Sequence, residues 1–512
     1  MPQPPVNTSP AEPGRRGGHL AALLAGALLP LGYAPLAFFP FVFLSLAVLF
    51  ALVRTDDPRR GFLRGFLYGL GAFGVGVSWV YVAIHDFGLT AAPLAGLLTA
   101  LFVAVLSLYT GLFGALAAWG GRRLSPAQRY LIGLPLAWIA VEWFRGWFLT
   151  GFPWLSIGYG VIDTPLAGYA PVFGVYGVGW LAAVSAGALA LLWQGRGTGW
   201  MPVTALVVGI WGVGGALMQI AWTEPEGEPL SVALVQGNQP QLTKWDPEGI
   251  TRRLSVYADL TLSRLGTDLV VWPENAVTLF YQDLQGDYFA PLAAQARAAG
   301  TDVILGVPLL DGDGERYYTT MLALGSGQFH RKSHLVPFGE YVPLEDWLRG
   351  LIRFFDLPMS GFSRGDPAQP PITVAGLPAA VSICYEDAFG TEVIRRLPEA
   401  RLLINGSNNA WYGDSLAPHQ HLQIARMRSL ETGRPLLRAT TNGISALVDH
   451  RGDILARSPQ FETFVLEGAV QPMRGSTPYV IWGDYGVLCV LAALAFALLR
   501  VCRVRIAVYE GP

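Results

Sequence analysis

A cysteine stands at the end of an apolar run in the second half of the chain. Residues 379–383 have the composition of a buried strand, and Cys384 follows them directly. Residues 385–389 are typical of the opening of a helix. A thiol on such a strand-to-helix turn lies at the edge of a sheet, where backbone N–H groups favour its anionic form. The alternative is that Cys384 is a small buried hydrophobic residue, the commonest role of a free cysteine.

Two further side chains of useful chemistry lie far from Cys384 in the sequence. Glu274 follows Trp272-Pro273 at the end of another apolar run, and open α/β sheets place their working groups at the tips of strands. Lys332 precedes an apolar Leu-Val-Pro-Phe loop and is one of only two lysines in the chain. A solvated loop glutamate and an exposed strand lysine are the simpler alternatives for these two residues.

The composition limits the classes of protein that the chain can belong to. Of its 512 residues, 52% are hydrophobic and 14% are charged, which suits a protein with much of its mass in lipid. The net charge of −2 provides no basic field, so nucleic acid is excluded as a partner. The three cysteines have no spacing that predicts a disulfide framework or a metal site, and we expect neither metal nor cofactor.

Apolar segments that approach or exceed the length of a membrane crossing dominate the first part of the chain. They cover residues 18–34, 36–53, 62–84, 91–118, 130–149, 168–193 and 200–221, and an eighth covers about 480–500. Arginines cluster in alternate loops, whereas residues 85–90 and 150–167 contain no lysine or arginine. Because positively charged loops stay in the cytoplasm, this pattern predicts eight spans with both termini cytoplasmic.

The segment between the seventh and eighth predicted spans has a different character. Apolar runs predict strands at 231–236, 268–272, 303–307, 317–324, 379–383, 402–405, 436–439 and 444–449, and amphipathic patterns predict helices at 248–265 and 419–432. This mixture favours an α/β sandwich. We therefore predict a disordered cytoplasmic N-terminus (1–17), a membrane domain of seven helices (18–222), an extracytoplasmic α/β domain (223–475), and an eighth span with a cytoplasmic tail (476–512).

The order of these features along the chain resembles that in the nitrilase (carbon–nitrogen hydrolase) superfamily. Its members have a strand-tip glutamate first, then a lysine before a Pro-Phe-Gly-Glu loop, and then a cysteine at a strand–helix turn. Within it, the chain is similar to the apolipoprotein N-acyltransferase family. The motifs that carry this similarity are Gly151-Phe-Pro-Trp-Leu155, Lys244-Trp-Asp-Pro247, Trp272-Pro-Glu274, Leu335-Val-Pro-Phe-Gly-Glu-Tyr-Val-Pro343, Cys384-Tyr-Glu386, Gln420-His-Leu422, Arg434-Pro435 and Gly443-Ile-Ser445. The resemblance implies a nitrilase-like αββα sandwich on a multi-pass membrane domain.

The resemblance also implies roles for individual residues. Glu274, Lys332 and Cys384 would form the catalytic triad, with Glu340, Tyr385 and Glu386 as supporting residues. A free thiol has a pKa of about 8.5 and needs activation, which a carboxylate that accepts its proton and a neighbouring ammonium supply. The same ammonium would stabilise a tetrahedral oxyanion. Glu340 would orient Lys332, Glu386 would receive a polar part of the substrate, and Tyr385 would either contribute to the site or only pack.

Aromatic residues near these motifs have two interpretations. Trp154, Trp245, Phe338, Trp411 and Tyr412 would line the substrate site, as a wall for acyl chains and a mobile arm. The alternative for the tryptophans is structural anchoring at the membrane interface, where Trp is common.

The activity implied by the resemblance is acyl transfer by a ping-pong mechanism in the bacterial inner membrane. A phospholipid would acylate Cys384, and the free α-amine of a diacylglyceryl-cysteine on an apolipoprotein would then take the acyl group. The protein would act as a monomer among membrane lipids, with its α/β domain on the periplasmic face. A membrane-anchored nitrilase-type amidase is the enzymatic alternative, and a transporter or receptor is the non-enzymatic one.

Overall fold

The computed structural model describes residues 15–55, 57–195, 199–341 and 361–509. Of the predicted disordered segment 1–17, the first fourteen residues lie outside this description, and the last three begin the first helix. Val342 and Pro343, which end one of the motifs, also lie outside the described residues, as does Arg196 in one of the arginine-bearing loops.

Apolar helices form the half of the molecule that we call the membrane half. The helices of the membrane half are Arg15–Leu28, Pro40–Leu52, Pro58–Gly76, Trp79–Val82, Ala92–Gly120, Leu134–Arg145, Ala170–Trp193, Trp200–Leu217 and Tyr485–Tyr509. Each of the eight predicted spans overlaps one of them. Small residues permit close packing: the Cα of Gly65 faces the backbone of Thr110 so closely that a Cβ would meet its carbonyl oxygen.

Eight complete spans are not confirmed. Within the described residues, three helices are long and apolar enough to cross a membrane, namely Ala92–Arg123, Pro165–Trp193 and Trp200–Leu217. A fourth is added if Pro58–Gly76 and Trp79–Phe87, which are bent by 53° relative to each other, count as one span. Several helices are shorter than the predicted spans, because an apolar run in the sequence includes the turns beside a helix. Pro40–Leu52, for example, has 13 residues and rises only about 20 Å.

The remaining elements form an α/β sandwich between residues 223 and 475. Its strands are β1 (Thr223–Pro225), β2 (Leu230–Gln236), β3 (Leu269–Val271), β4 (Asp302–Leu310), β5 (Tyr317–Ala323), β6 (Phe329–Arg331), β7 (Ile372–Val374), β8 (Leu377–Ile383), β9 (Leu402–Ser407), β10 (Leu436–Thr440), β11 (Ala446–Val448), β12 (Ile454–Arg457), β13 (Phe464–Val470) and β14 (Met473–Gly475). The eight predicted strands correspond to β2–β5 and β8–β11. The short or exposed strands, such as β6, β7 and β12, escaped prediction because they lack an apolar run.

Two six-stranded sheets face each other in this sandwich. Their strand orders are β13-β2-β3-β4-β5-β6 and β12-β11-β10-β9-β8-β7, and β1 pairs separately with β14. The central strands β2, β3 and β4 are parallel, as are β8, β9 and β10. Glu274 follows β3 and Cys384 follows β8, each at the carboxyl end of a central parallel strand. The two sheets therefore carry the carboxylate and the thiol at comparable positions.

Apolar side chains fill three layers of the α/β sandwich, one between the sheets and one on the outer face of each sheet. Val271, Ile304, Val381 and Ile404 belong to the cluster between the sheets. The outer face of the first sheet packs against the helices Ile250–Leu262 and Ala290–Ala298, and that of the second against Leu416–Thr432. Because side chains alternate between the two faces of a strand, a sheet covered on both faces reads as a continuous apolar run. The predicted αββα sandwich is confirmed.

The sandwich sits directly on the membrane half. Tyr385, Phe389, Ile424 and Met427 of the sandwich belong to the same buried cluster as the membrane helices. We call this contact the seam. It places the turn after β8, which carries Cys384, against the membrane half.

Candidate functional site

The turn that carries Cys384 is tighter than the sequence predicted. β8 ends at Ile383, and Cys384 itself begins a short 3-10 helix, Cys384–Ala388, followed by a single α-helical turn, Gly390–Val393. Cys384 has φ +51°, a conformation that costs a non-glycine residue free energy and tends to occur at functional sites. Because a five-residue 3-10 helix has little macrodipole, helix-dipole activation of the thiol is small here.

A buried chain of charges joins Glu274, Lys332 and Glu340. The Lys332 ammonium donates hydrogen bonds to Glu274 Oε1 at 2.9 Å and to Glu340 Oε1 at 2.7 Å. The second oxygen of each carboxylate is also held, since Glu274 Oε2 accepts from the Asn408 N–H and Glu340 Oε2 from the Val336 N–H. Burial alone would lower the pKa of Lys332, but the two carboxylates outweigh it and raise the pKa well above its usual value. Lys332 is therefore a permanent cation.

The thiol of Cys384 lies within the field of these groups and is protonated in the resting site. Burial, and then the negative charge of Glu274, raise the pKa of Cys384 to about 12, although Lys332 acts in the opposite direction. The sequence suggested that Lys332 would lower the thiol pKa. Its effect has that sign, but burial is larger because only 7% of Cys384 is exposed. The thiolate must therefore form together with transfer of its proton to a base.

Glu386 is occupied by the protein itself. Oε1 accepts from the N–H and Oγ of Ser333 and from the His334 N–H, and Oε2 accepts from the Ile383 N–H at 2.7 Å. Arg396 donates to His330 Nδ1, so the neutral imidazole donates from Nε2 to Glu386 Oε2 at 2.9 Å. With both oxygens engaged, Glu386 ties the Lys332 segment to the Cys384 turn, which differs from the expected contact with a substrate.

Tyr385 and Trp154 meet at the seam. The Tyr385 hydroxyl donates to the Gly151 carbonyl at 3.0 Å, and its ring stacks on Trp154 with centroids 6.3 Å apart. The Trp154 indole N–H donates to Gln420 at 2.7 Å, and Trp154 is 3% exposed. These contacts favour the packing interpretation for both residues.

The other predicted aromatic residues lie near the loop that follows Lys332 or against the membrane half. Trp245 and Trp411 are half-buried and pack around Leu335, in the loop that follows Lys332. Phe338, in the same loop, is 49% exposed and has φ +62°. Tyr412 packs edge-on against Trp79 of the membrane half, with centroids 4.9 Å apart, and is electrostatically coupled to Cys384. We call these four residues the aromatic rim, of which three lie in or pack against the cluster around the loop after Lys332 and Tyr412 lies against the membrane half.

Several residues that hold the site were missed by the motif analysis. Arg438 in β10 is fully buried and donates to Asp387 at 2.8 Å and to Asn405 at 2.6 Å. Asn405 in turn donates to the Cys384 carbonyl at 3.2 Å, and His421, which belongs to the Gln420-His-Leu422 motif, bonds the other oxygen of Asp387. An arginine inside an apolar strand was the available signal, because a buried guanidinium requires a buried partner.

A cavity of about 870 Å³ opens at the seam beside the site. Its wall includes Trp147, Tyr176 and Trp482 from the membrane half and His334 and Phe389 from the sandwich. None of the three triad residues lines it. Within the part of the chain that the structure describes, no group of three or more His, Cys, Asp or Glu side chains is arranged to hold a metal ion.

Comparison with known proteins gives a consistent result for both halves. Residues 25–188 match the family profile described as apolipoprotein N-acyltransferase N-terminal domain, and residues 231–479 match the carbon-nitrogen hydrolase profile. The apolipoprotein N-acyltransferase of Methylococcus capsulatus is 45% identical over 493 residues, covering 94% of this chain and 96% of the relative. Those of Azotobacter vinelandii and Pseudomonas aeruginosa PAO1 are 45% and 43% identical, each covering 94% of this chain and 95% and 96% of the relatives. Since this identity extends over both halves in the same order, the chain belongs to the apolipoprotein N-acyltransferase family.

Proposed function

We propose that the protein transfers a fatty acyl chain from a membrane phospholipid, through a thioester on Cys384, to the α-amino group of the N-terminal diacylglyceryl-cysteine of apolipoproteins. Membership of the family supports acyl transfer to lipoproteins as the reaction. The observation that carries the assignment of residues is the bridge that Lys332 makes between Glu274 and Glu340 beside the Cys384 turn.

The first half-reaction forms the thioester. The Cys384 S–H bond breaks, its proton moves to the Glu274 carboxylate, and the sulfur attacks the ester carbonyl carbon of the phospholipid. Lys332 stabilises the resulting oxyanion together with a main-chain N–H of the turn, and such a donor contributes roughly 3–4 kcal/mol. Collapse of the intermediate breaks the C–O bond, and Glu274 returns the proton to the oxygen of the departing lysophospholipid.

The second half-reaction uses the same groups. The α-amine of the diacylglyceryl-cysteine attacks the thioester carbonyl, Glu274 takes the proton that the amine loses, and the C–S bond breaks. The proton then passes to the Cys384 sulfur, which restores the thiol. Glu340 holds Lys332 in place through its 2.7 Å hydrogen bond throughout both steps.

The aromatic rim supports the choice of lipid substrates. Trp245, Phe338, Trp411 and Tyr412 provide apolar surface for acyl chains next to the charged groups. Exclusion of water matters, because water would hydrolyse the thioester. Trp154 acts as a seam contact in this proposal. Every proposed catalytic residue comes from one chain, so a monomer would suffice for the proposed reaction.

The proposed arrangement in the membrane rests on the distribution of arginine among the loops. The protein is a membrane protein, and we place the sandwich (223–475) on the periplasmic side of the bacterial inner membrane with both termini in the cytoplasm. The alternation of arginine-bearing loops supports this orientation. A cysteine introduced at Asp313, in an exposed loop, should react with a membrane-impermeant maleimide in intact spheroplasts, whereas one at Arg59 should react only after lysis.

The central experiment follows the acyl group. Purified protein incubated with a phospholipid carrying a labelled acyl chain should acquire a label that hydroxylamine removes, and Cys384→Ala should acquire none. Addition of a diacylglyceryl lipopeptide should move the label to the peptide amine. Persistent labelling of Cys384→Ala would reject the nucleophile, and release of free fatty acid without transfer would favour the amidase alternative.

A further inference from the structure

Both lysines of this 512-residue chain converge on one glutamate. Lys332 bonds the carboxylate of Glu274, and Lys244 Nζ donates to the main-chain carbonyl of the same residue at 3.4 Å. Lys244 is completely buried, and Lys332 and Glu274 are 1% and 4% exposed. Lys244 lies in the loop between β2 and the helix Ile250–Leu262. This loop is separate from the Lys332 loop and from the Cys384 turn.

The two lysines differ in their partners. Lys332 lies between two carboxylates. Among the described residues, no aspartate or glutamate oxygen lies within salt-bridge distance of Lys244, and the long bond to the Glu274 carbonyl is its hydrogen bond. Burying an ammonium without a carboxylate costs free energy that an apolar side chain of the same length would avoid. An ammonium in this position is therefore unfavourable for folding and calls for another explanation.

The formal charges of the site supply that explanation. Glu274 and Glu340 contribute two negative charges and Lys332 one positive charge, which leaves a net charge of −1 beside the thiol. The ammonium of Lys244 brings this sum to zero. The groups that act electrostatically on Lys244 are Glu274, Cys384 and Arg253. Those that act on Cys384 include Glu274, Lys332, Glu340 and Asp387, and the last of these is paired with Arg438.

We propose that Lys244 is a positioning residue for the acyl transfer, whose ammonium offsets the surplus negative charge around Glu274 and so stabilises the thiolate form of Cys384. The role rests on the proposed function. It concerns the stability of the thiolate that remains once the S–H bond has broken, and Lys244 neither gains nor loses a proton in that step.

The protonation of Lys244 makes its effect on the thiol depend on pH. Burial lowers the pKa of Lys244 to about 8, although Glu274 and Cys384 act in the opposite direction. Lys244 is therefore mostly charged at neutral pH and loses its charge above pH 8. Lys332 stays charged over the same range, because its pKa is raised well above the usual value. An effect that disappears near pH 8 can thus be assigned to Lys244.

The test measures the reactivity of the thiol without any lipid substrate. The full-length protein is alkylated with iodoacetamide between pH 6 and pH 10, and modification of Cys384 is read by mass spectrometry. In Lys244→Met we expect alkylation at pH 7 to be about tenfold slower, the effect of a neighbouring cation on a thiol pKa of about one unit. The difference should vanish above pH 9, where the wild-type lysine is neutral.

Two further variants separate charge from structure. Lys244→Gln keeps a donor for the Glu274 carbonyl without the charge and should behave like Lys244→Met, whereas recovery of the wild-type profile in Lys244→Gln would overturn the role of charge. Arg252→Met removes a cation from an exposed position on the neighbouring helix and should leave the profile unchanged. Both Lys244 variants should unfold at the same temperature as the wild type or a higher one.

An unchanged pH profile in a folded Lys244→Met or Lys244→Gln protein overturns the proposal. Loss of acyl labelling is measured in parallel with the labelled phospholipid. If wild-type protein forms no thioester, the proposed function fails whatever the alkylation shows. If wild type forms the thioester and the Lys244 variants alkylate normally, only the role of Lys244 fails.

Discussion

The Nζ of Lys332 lies 2.9 Å from Oε1 of Glu274, although the two residues are separated by 58 positions in the chain. Each is almost completely buried, and each is held by a second partner, Glu340 for the lysine and the Asn408 N–H for the glutamate. This fixed geometry keeps a proton acceptor and an oxyanion donor in a single arrangement, so that little reorganisation accompanies the reaction.

Replacing the proposed base tests the first half-reaction. Glu274→Gln keeps the shape of the side chain but removes the proton acceptor and one of its two hydrogen-bond acceptor oxygens, so we expect single-turnover acylation of Cys384 to slow by about 10²–10⁴-fold. Rapid-quench measurement of the acyl-enzyme gives the rate. Glu315→Gln, on an exposed loop, is the control. Acylation within a few-fold of wild type would remove Glu274 as the base.

Glu386 should contribute to stability through its charge. Burial opposes ionisation, but His330, Arg396 and the Ser333 N–H outweigh it and hold the pKa of Glu386 well below its usual range. A carboxyl whose folded-state pKa is depressed stabilises the protein above its unfolded-state pKa, about 4.3, and loses this contribution as the pH falls below that value. Glu386→Gln should therefore lower the free energy of unfolding at pH 7 by about 3 kcal/mol.

The pH dependence distinguishes this charge effect from lost packing. Unfolding measured at pH 7 and at several values below pH 4.3 should show the difference between wild type and Glu386→Gln shrinking as the pH falls. A difference that stays constant would show that the carboxylate charge is not responsible. Acylation should also slow in Glu386→Gln, because the Lys332 segment loses its anchor at Ser333.

Gln420 should be a main connection across the seam. Its Oε1 accepts from the indole N–H groups of Trp79 at 3.2 Å and Trp154 at 2.7 Å, and its Nε2 donates to the Gly76 carbonyl at 3.0 Å. Gln420→Leu leaves these buried groups without partners, so we expect a loss of about 3 kcal/mol in unfolding free energy. Thermal unfolding in detergent checks this, with the exposed Gln295→Leu as the control. Equal unfolding temperatures would contradict the prediction.

Two substitutions at Tyr385 separate packing from chemistry. Tyr385→Phe loses only the hydrogen bond to the Gly151 carbonyl, so we expect a stability change of about 1 kcal/mol and thioester formation within a few-fold of wild type. Tyr385→Ala also removes the ring from Trp154 and Phe389 and should cost about 3–5 kcal/mol. If Tyr385→Phe abolishes thioester formation in a stable protein, the hydroxyl takes part in the reaction.

Much of this protein can be predicted from its sequence because local signals are strong. Continuous apolar runs predicted the central strands β2–β5 and β8–β11, since a strand covered on both faces carries apolar side chains on both of them. The strand-tip position of Glu274 and the turn at Cys384 were visible for the same reason. Together with the spacing of Lys332, these signals indicated the family before any fold was known.

Other features depended on the tertiary structure. Apolar composition does not fix where a helix ends, so the run at 36–53 became a helix of 13 residues, Pro40–Leu52. Side-chain partners across the fold are equally invisible to local patterns. The sequence left Glu386 available for a substrate. Only the packing of β6 and the residues after it beside the Cys384 turn added four protein donors to the local Ile383 N–H on its two oxygens. The sequence determines which groups the protein possesses, whereas the packing of the two sheets decides which of them meet, because hydrogen bonds and burial act over a few ångströms of space and not along the chain.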